Sequence, residues 1–307
     1  MTTASPARLS RTDVSFPIDG MMCRAWLYQP DARTSPPAPC IVMGHGLGGT
    51  RDCGLAPYAE RFAAAGFFVV VFDYRHLGDS EGEPRQVISI EGQLEDWRGA
   101  VAFARTLRNV DPERIGLWGT SLSGGHVIVT AARDKSIAAV SAQCPMLDGT
   151  ASARMAIVDV GAVMAVRMTG AAMLDLGTMI AGQSPHYVPL VGHHGELAAM
   201  ATPGAYEGCM AIAPPGWRNE VAARFFMALP LYRPFLYAKD ISCPTLVIAC
   251  ERDTVVSPEA AADIVTRIGD KARLSTLPID HFDIYRGEWF DRSSEEQAAF
   301  FSAALRC

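Results

Sequence analysis

Short apolar runs alternate with amphipathic stretches along most of the chain. Six runs are typical of strands in a parallel sheet: 40–44, 66–73, 114–119, 137–145, 243–250 and 272–278. Between them, apolar positions and capping residues predict helices over 55–65, 89–107 and 122–133, from 258 onward, and over 294–305. Two earlier segments, 14–18 and 23–28, mix apolar and polar residues as a half-exposed antiparallel edge does. The alternation predicts an α/β fold, a mostly parallel sheet with helices on both faces.

This alternation stops between residues 148 and 238. The segment holds 8 of the 13 methionines and many alanines, and the strand–helix pattern resumes after it. We therefore predict one α/β core domain, formed by 1–147 and 239–307, that carries a helical insertion at 148–238.

Composition narrows the class of protein. The 307 residues carry a net charge of −6 with 49% hydrophobic residues, which argues against a nucleic-acid surface. The most apolar segment, 155–180, is interrupted by Asp159, Arg167 and Asp175, so no membrane span is predicted. The first 13 residues lack the apolar core of a secretory signal. None of the eight cysteines forms Cys-x-x-Cys, which favours buried, reduced thiols in a cytoplasmic protein.

The most informative motif is "GTSLSGG", residues 119–125, between a predicted strand and a predicted helix. It matches the Gly-x-Ser-x-Gly turn that presents a nucleophilic serine, except that Ser123 stands where the last glycine is expected. Ser121 is the candidate nucleophile, and the alternative is an ordinary strand–helix turn with a capping serine.

A serine nucleophile needs a base, and the base needs a carboxylate to orient it. His281 follows the last predicted strand, and Asp253 follows the strand before it. Asp148 is a competing acid at the end of another strand, whereas Asp280 and Asp283 lie too close to His281 in sequence to reach its ring. Ser121, Asp253 and His281 thus come just after carboxyl ends of parallel strands, where ligands bind in open sheets.

Acyl transfer also needs donors for the developing oxyanion. The glycine-rich loop "GHGLGG", 44–49, follows the first buried parallel strand and keeps its N–H groups accessible. We expect the backbone N–H groups of Leu47 and Leu122 to form the oxyanion hole. The alternative is a merely flexible glycine loop.

With these residues assembled, the chain resembles the α/β-hydrolase superfamily, and within it bacterial serine esterases and peptidase-like hydrolases. The resemblance rests on "HGLGG", "DYRHLGDSEG", the elbow "GTSLSGG", and the late Asp253 and His281. It implies an eight-stranded, mostly parallel sheet, no metal or organic cofactor, and a lid inserted after the sixth strand, which matches 148–238. Related proteins act as thioesterases or as acyl (polyketide) transferases.

These features predict a serine hydrolase that cleaves an ester or thioester of an apolar acyl substrate. The alternatives are acyl transfer or carbon–carbon bond hydrolysis on the same triad, a peptidase, or a catalytically inactive ligand-binding protein. The methionine-rich insertion suits either an apolar ligand or packing against the core or a homodimer partner. Five insertion residues could meet a polar substrate group: Arg154, Arg167, His193, His194 and Tyr206.

Overall fold

The computed structural model describes residues 10–30 and 34–305. The predicted absence of a secretory signal concerns the first 13 residues, of which 1–9 lie outside the described residues. The strands are β1 (Arg11–Ile18), β2 (Met21–Tyr28), β3 (Ala38–Gly44), β4 (Phe68–Phe72), β5 (Val110–Thr120), β6 (Ala139–Gln143), β7 (Tyr187–Val188), β8 (Val221–Ala222), β9 (Thr245–Cys250) and β10 (Ala272–Leu277). The α-helices are α1 (Ala56–Ala64), α2 (Ile90–Thr106), α3 (Leu122–Arg133), α4 (Gly149–Ile180), α5 (Ala205–Met210), α6 (Phe225–Ala228), α7 (Glu259–Ile268) and α8 (Gly287–Leu305).

Eight strands form one sheet in the order β1-β2-β4-β3-β5-β6-β9-β10. The pairs β1–β2 and β2–β4 are antiparallel, and every other pair in the sheet is parallel. This confirms the predicted eight-stranded, mostly parallel sheet with its antiparallel edge. The strand order reverses at β3, so the crevice beyond the carboxyl ends of β3 and β5 is where a ligand is expected.

Helices cover both faces of the sheet, which explains why its central strands are apolar throughout. All seven residues of β3 and all five of β4 are buried. Helix α2 begins where the side chain of Ser89 accepts a hydrogen bond from the Gly92 N–H at 3.2 Å. Helix α8 begins at Gly287, seven residues before the predicted start, and packs Phe301 against the sheet.

The chain between β6 and β9 contains α4, α5 and α6 and the two-stranded β7–β8 sheet, which the sequence pattern did not predict. Helix α4 is kinked at Gly161, whose φ of 83° is favourable only for glycine. The part of α4 after the kink, Gly161–Ile180, is long and apolar enough to cross a membrane, with a mean hydropathy of 1.3. Only 22% of its most apolar window is buried, so the absence of a membrane span stays a prediction.

Large apolar side chains lie exposed along α4. Val158, Val163, Val166 and Ile180 are each more than 70% exposed. None of the described residues covers these side chains, and the possible homodimer stays a prediction. The seven cysteines within the described residues are all free and buried, as the sequence predicted, and Cys307 lies outside those residues.

One buried ion pair holds the insertion together. The carboxylate of Asp175, on α4, is fully buried and accepts three hydrogen bonds from Arg224: the backbone N–H at 2.8 Å, Nε at 2.7 Å and Nη2 at 2.9 Å. The His186 N–H donates a fourth, at 2.8 Å. Burial raises the pKa of Asp175, but the Arg224 bonds outweigh it, and the net pKa is lowered.

We predict that Asp175→Ala lowers the free energy of unfolding by about 3–5 kcal/mol, because it leaves the Arg224 guanidinium without its buried partner. Urea denaturation monitored by circular dichroism measures the change. Asp291→Ala is the matched control, since it breaks the exposed Arg61–Asp291 pair and is expected to cost less than about 1 kcal/mol. Equal losses in the two variants would contradict this assignment of the buried pair.

Candidate active site

Ser121 occupies a strained turn between β5 and α3. Its φ of 56° and ψ of −121° are unfavourable for a residue with a Cβ, and such strain is typical of a nucleophile elbow. Two backbone bonds to the chain around the end of β6 hold the turn: Ser121 N–H donates to the Gln143 carbonyl, and Met146 N–H to the Ser121 carbonyl, each at 2.9 Å. A Cβ on Gly119 would lie 2.2 Å from the Ser123 carbonyl oxygen, so this position requires glycine.

The structure brings Ser121, His281 and Asp253 into one hydrogen-bonded line. His281 Nε2 lies 3.1 Å from Ser121 Oγ, and His281 Nδ1 lies 2.6 Å from Asp253 Oδ2. All three side chains are buried, with His281 only 2% exposed. The imidazole can therefore exchange a proton with Ser121 while Asp253 fixes its tautomer.

Asp253 is itself held in place by the backbone that follows β9. Its Oδ1 accepts hydrogen bonds from the N–H groups of Val255 and Val256, at 2.9 and 2.8 Å, which leaves Oδ2 facing His281. The competing Asp148 instead caps the start of α4 and pairs with Arg233 at 3.0 Å. Asp280 accepts from the backbone N–H of His281, not from its ring.

The pKa of His281 is set by two opposing effects. Burial is the largest single influence and lowers it, because a buried imidazolium loses its hydration, but the charge and hydrogen bond of Asp253, together with Cys144 and Asp280, outweigh burial. The pKa of His281 is raised from 6.5 to about 9. His281 therefore holds its second proton up to a higher pH than a free imidazole does.

The glycine-rich loop after β3 lies directly against Ser121. A Cβ on Gly46 would lie 3.0 Å from the Ser121 Cβ, so any side chain at that position would crowd Ser121 and require one of them to move by a few tenths of an ångström. Leu47 and Leu122 both line a large apolar cavity, described below, into which Ser121 opens. The Leu122 N–H belongs to the first turn of α3, where backbone N–H groups have no partner within the helix. The two residues predicted for the oxyanion hole thus flank Ser121.

Comparison with known proteins identifies the family. The family model for X-Pro dipeptidyl-peptidase (S15 family) matches residues 19–192, more than half of the chain. The chain belongs to this family, within the α/β-hydrolase superfamily. Quorum-quenching protein AidA of Acinetobacter baumannii is 41% identical over 290 residues, which cover 94% of this chain and 93% of AidA.

Two further proteins extend the comparison to other reactions on this fold. Thiohydrolase aneE of Aspergillus aculeatus is 39% identical over 133 residues, 43% of this chain and 41% of aneE. The crystal structure of the α/β hydrolase GrgF from Penicillium sp. covers 97% of this chain and 100% of its own, with a TM-score of 0.79 and 23% identity. Polyketide transferase grgF of Penicillium sp. is 31% identical over 192 residues, 62% of this chain and 60% of the relative. This S15-family chain is therefore an enzyme of the hydrolase or acyl-transferase kind.

A large apolar cavity of about 200 Å³ lies between the core of this α/β hydrolase and its insertion. Ser121 opens into it, and Val255 and Val256 of the loop that holds Asp253 form part of its wall. Helix α6 adds Phe225, Phe226 and Met227, which the sequence analysis did not single out. Helix α4 contributes a series of small and flexible side chains: Ala153, Ala156, Ile157, Met164, Ala165 and Met168.

A second, smaller cavity of about 40 Å³ also reaches Ser121. His281, Phe282 and Tyr285 line it from the core, and Trp217 lines it from the insertion. Trp217 also donates a hydrogen bond from Nε1 to the Gly48 carbonyl at 3.0 Å, which ties the insertion to the glycine-rich loop.

The five polar insertion residues proposed from the sequence line neither cavity. Two of them form surface pairs instead: His193 with Glu207 at 3.3 Å and His194 with Asp159 at 3.2 Å. The charged residue that does line the large cavity is Glu196, which no sequence signal indicated. Within the described residues, no three His, Cys, Asp or Glu side chains are arranged to hold a metal ion.

We predict that Asp253→Asn lowers the pKa of His281 below 6.5, because burial, the largest single influence, then acts without the strongest of the groups that oppose it. The pH dependence of the imidazole Cε1 proton shift in NMR spectra measures this directly. Asp280→Asn is the matched control, since its carboxylate neighbours His281 but bonds the backbone, and the pKa should stay above 6.5. An unchanged pKa in Asp253→Asn would show that Asp253 does not set the charge of the imidazole.

Proposed function

We propose that this chain is a serine hydrolase that cleaves an ester or thioester of an apolar acyl substrate through an acyl-enzyme on Ser121. The observation that carries the proposal is the hydrogen-bonded line from Asp253 through His281 to Ser121, which ends at an apolar cavity. The thiohydrolase name of a curated relative supports a thioester as one substrate class.

In this mechanism the neutral form of His281, whose fraction rises as the pH approaches its pKa of about 9, takes the Ser121 proton at Nε2 as Oγ forms a bond to the substrate carbonyl carbon. The carbonyl π electrons move to oxygen, and the oxyanion accepts hydrogen bonds from the Leu47 and Leu122 N–H groups. When the intermediate collapses, the bond to the leaving oxygen or sulfur breaks and that atom takes the proton from His281. Water then attacks the acyl carbon and gives a proton to His281. As this second intermediate collapses, the bond between the acyl carbon and Ser121 Oγ breaks, Oγ takes the proton back from His281, and the acid is released.

The two cavities suggest how the substrate is divided. The large apolar cavity, bounded by α4 and α6, suits the acyl chain, because burial of each CH₂ stabilises binding by about 0.8 kcal/mol. The small cavity next to His281 suits the leaving group and then the attacking water. We propose accordingly that 148–238 acts as a lid over the acyl chain.

Acyl transfer is the second candidate, supported by the polyketide transferase name of grgF. An alcohol or amine in the small cavity would then replace water in the second step. A peptidase activity has less support, because a substrate amine needs a carboxylate, and the acid lining the large cavity, Glu196, already accepts a hydrogen bond from the His193 N–H at 2.8 Å.

Replacing Ser121 by alanine should lower kcat for p-nitrophenyl hexanoate by about 10³-fold or more, since triad members act as a unit. A fluorophosphonate probe should label the wild type at Ser121 and leave Ser121→Ala unlabelled, as read by peptide mass analysis. Ser257→Ala is the control, since Ser257 only bonds Glu259 at the start of α7, and it should be labelled and active. A folded wild-type protein that is neither labelled nor active would favour the ligand-binding alternative.

Acyl-chain preference should respond to the α4 wall of the large cavity. Ala156→Phe fills part of the cavity and should lower kcat/KM for a p-nitrophenyl decanoate at least tenfold while leaving the acetate within about twofold. Val158→Phe is the matched control, because Val158 lies on the same helix and is 80% exposed. Parallel losses for the acetate and the decanoate in Ala156→Phe would place the acyl chain elsewhere.

A further inference from the structure

Ser123, which replaces the last glycine of the elbow motif, has a specific hydrogen-bonding role. It is fully buried in the first turn of α3, two residues after the nucleophile. Its Oγ donates a hydrogen bond to the His45 carbonyl at 2.5 Å and also contacts the Tyr74 hydroxyl. The side chain thus connects the elbow to the glycine-rich loop after β3, 78 residues away in sequence.

The direction of each bond in this network follows from the chemistry of its members. The Trp97 indole can only donate, and its Nε1 lies 2.7 Å from the Tyr74 oxygen. The His45 carbonyl can only accept, so the single Ser123 hydroxyl proton points toward it. Tyr74 must therefore donate to Ser123, and burial raises the pKa of Tyr74 so that it keeps this proton. The chain Trp97→Tyr74→Ser123→His45 has one consistent order.

The glycine-rich loop is fixed at a second point, by His45 itself. Its Nδ1 lies 3.0 Å from the Gly46 carbonyl, which can only accept, so Nδ1 carries the imidazole proton. Burial lowers the pKa of His45 to about 4, and the ring is neutral near pH 7. The Gly46 carbonyl and the Leu47 N–H belong to the same planar peptide and point in opposite directions. The hydrogen bond from His45 to the Gly46 carbonyl therefore also fixes the direction of the Leu47 N–H.

The surrounding residues leave room for the Ser123 side chain. A Cβ on Gly44, at the end of β3, would lie 3.1 Å from Ser123 Oγ, 3.0 Å from the Tyr74 oxygen and 2.6 Å from Trp97 Cζ2. Glycine at position 44 therefore leaves the space that the hydrogen-bonded side chains of Trp97, Tyr74 and Ser123 occupy. The extra hydroxymethyl group of Ser123 is accommodated without displacing the nucleophile turn.

We propose that Ser123 is a positioning residue that fixes the loop bearing the Leu47 N–H to the turn bearing Ser121. The two consecutive peptides of that loop are held by Ser123 and by His45, so the nucleophile and its oxyanion donor keep their spacing. Ser123 acts through the His45 carbonyl and does not touch the substrate. This inference rests on the proposed serine hydrolase function.

The test compares Ser123→Ala with the wild type, using p-nitrophenyl hexanoate as substrate. Loss of the hydroxyl should lower kcat about 10-fold to 100-fold with KM within twofold, since removing an oxyanion donor outright costs about 10²–10³ in kcat. The Ki of 1,1,1-trifluoro-2-octanone, whose hemiketal with Ser121 carries an oxyanion, should rise by a similar factor. The Ki of 2-octanol, which forms no oxyanion, should stay within twofold.

Tyr74→Phe provides a second variant that keeps the shape of the core. Acting through Ser123, it should lower kcat by a smaller factor, about two- to fivefold. Combined with Ser123→Ala it should cause no further loss of kcat, because the two hydroxyl groups act in series. If the role of these residues were purely structural, each substitution would instead lower the melting temperature. The two decreases would add in the double variant, and the ratio of the two Ki values would stay unchanged.

The outcomes separate this inference from the proposed function. If wild-type Ser121 is labelled and active while Ser123→Ala keeps kcat and the trifluoroketone Ki within twofold, the positioning role is wrong and the hydrolase stands. If the losses of kcat caused by Tyr74→Phe and Ser123→Ala add in the double variant, the two hydroxyl groups do not act in series. If Ser121→Ala retains the wild-type activity, the proposed function itself fails, whatever Ser123 does.

Discussion

The close approach of two loops at Ser121 is the constraint on which the rest of the site depends. The glycine-rich loop after β3 and the elbow after β5 come together where the sheet order reverses, and a Cβ at the Gly46 position would lie only 3.0 Å from the Ser121 Cβ. At Gly119 the same crowding would force a Cβ into the Ser123 carbonyl. The strained φ of Ser121 persists because surrounding backbone bonds and packing determine it. Glycines therefore make this geometry possible, and hydrogen bonds hold it.

The insertion completes the site from the opposite side, and its two contacts differ in chemistry. Toward α4 and α6 the walls are almost entirely apolar, so binding of the proposed acyl chain there would depend on the area removed from water. Toward His281 the walls include an aromatic cluster with an indole that also bonds the Gly48 carbonyl. Movement of the insertion would therefore disturb the glycine-rich loop as well as the large cavity, and under the proposed function it would couple substrate enclosure to the geometry around Ser121.

The sequence predicted the fold well because its strands are short, apolar and separated by amphipathic helices. It placed Ser121, Asp253 and His281 at one edge of the sheet, since the carboxyl ends of parallel strands meet there. It did not predict β7 and β8, because strands of two residues have no periodicity, or the early start of α8 at Gly287. The five polar insertion residues failed to reach the cavities because the fold of α4 and the loops after it depends on tertiary packing. The partner of Ser123 was equally out of reach, since no local pattern relates residue 123 to the His45 carbonyl.

Three buried histidines show how this protein uses one side chain in opposite ways. Burial lowers the pKa of His45 to about 4 and that of His126 to about 3, so both rings are neutral and serve as fixed hydrogen-bonding groups. His126 bridges Tyr232 and Gln93 at 2.7 and 2.9 Å, and His45 holds the Gly46 carbonyl. His281 is buried to the same degree, but the Asp253 carboxylate at 2.6 Å, together with Cys144 and Asp280, reverses the sign of its pKa shift. Burial therefore does not distinguish a proton-transferring histidine from a structural one. A bonded carboxylate on one ring nitrogen and a hydroxyl on the other make that distinction, and of these three histidines only His281 has both.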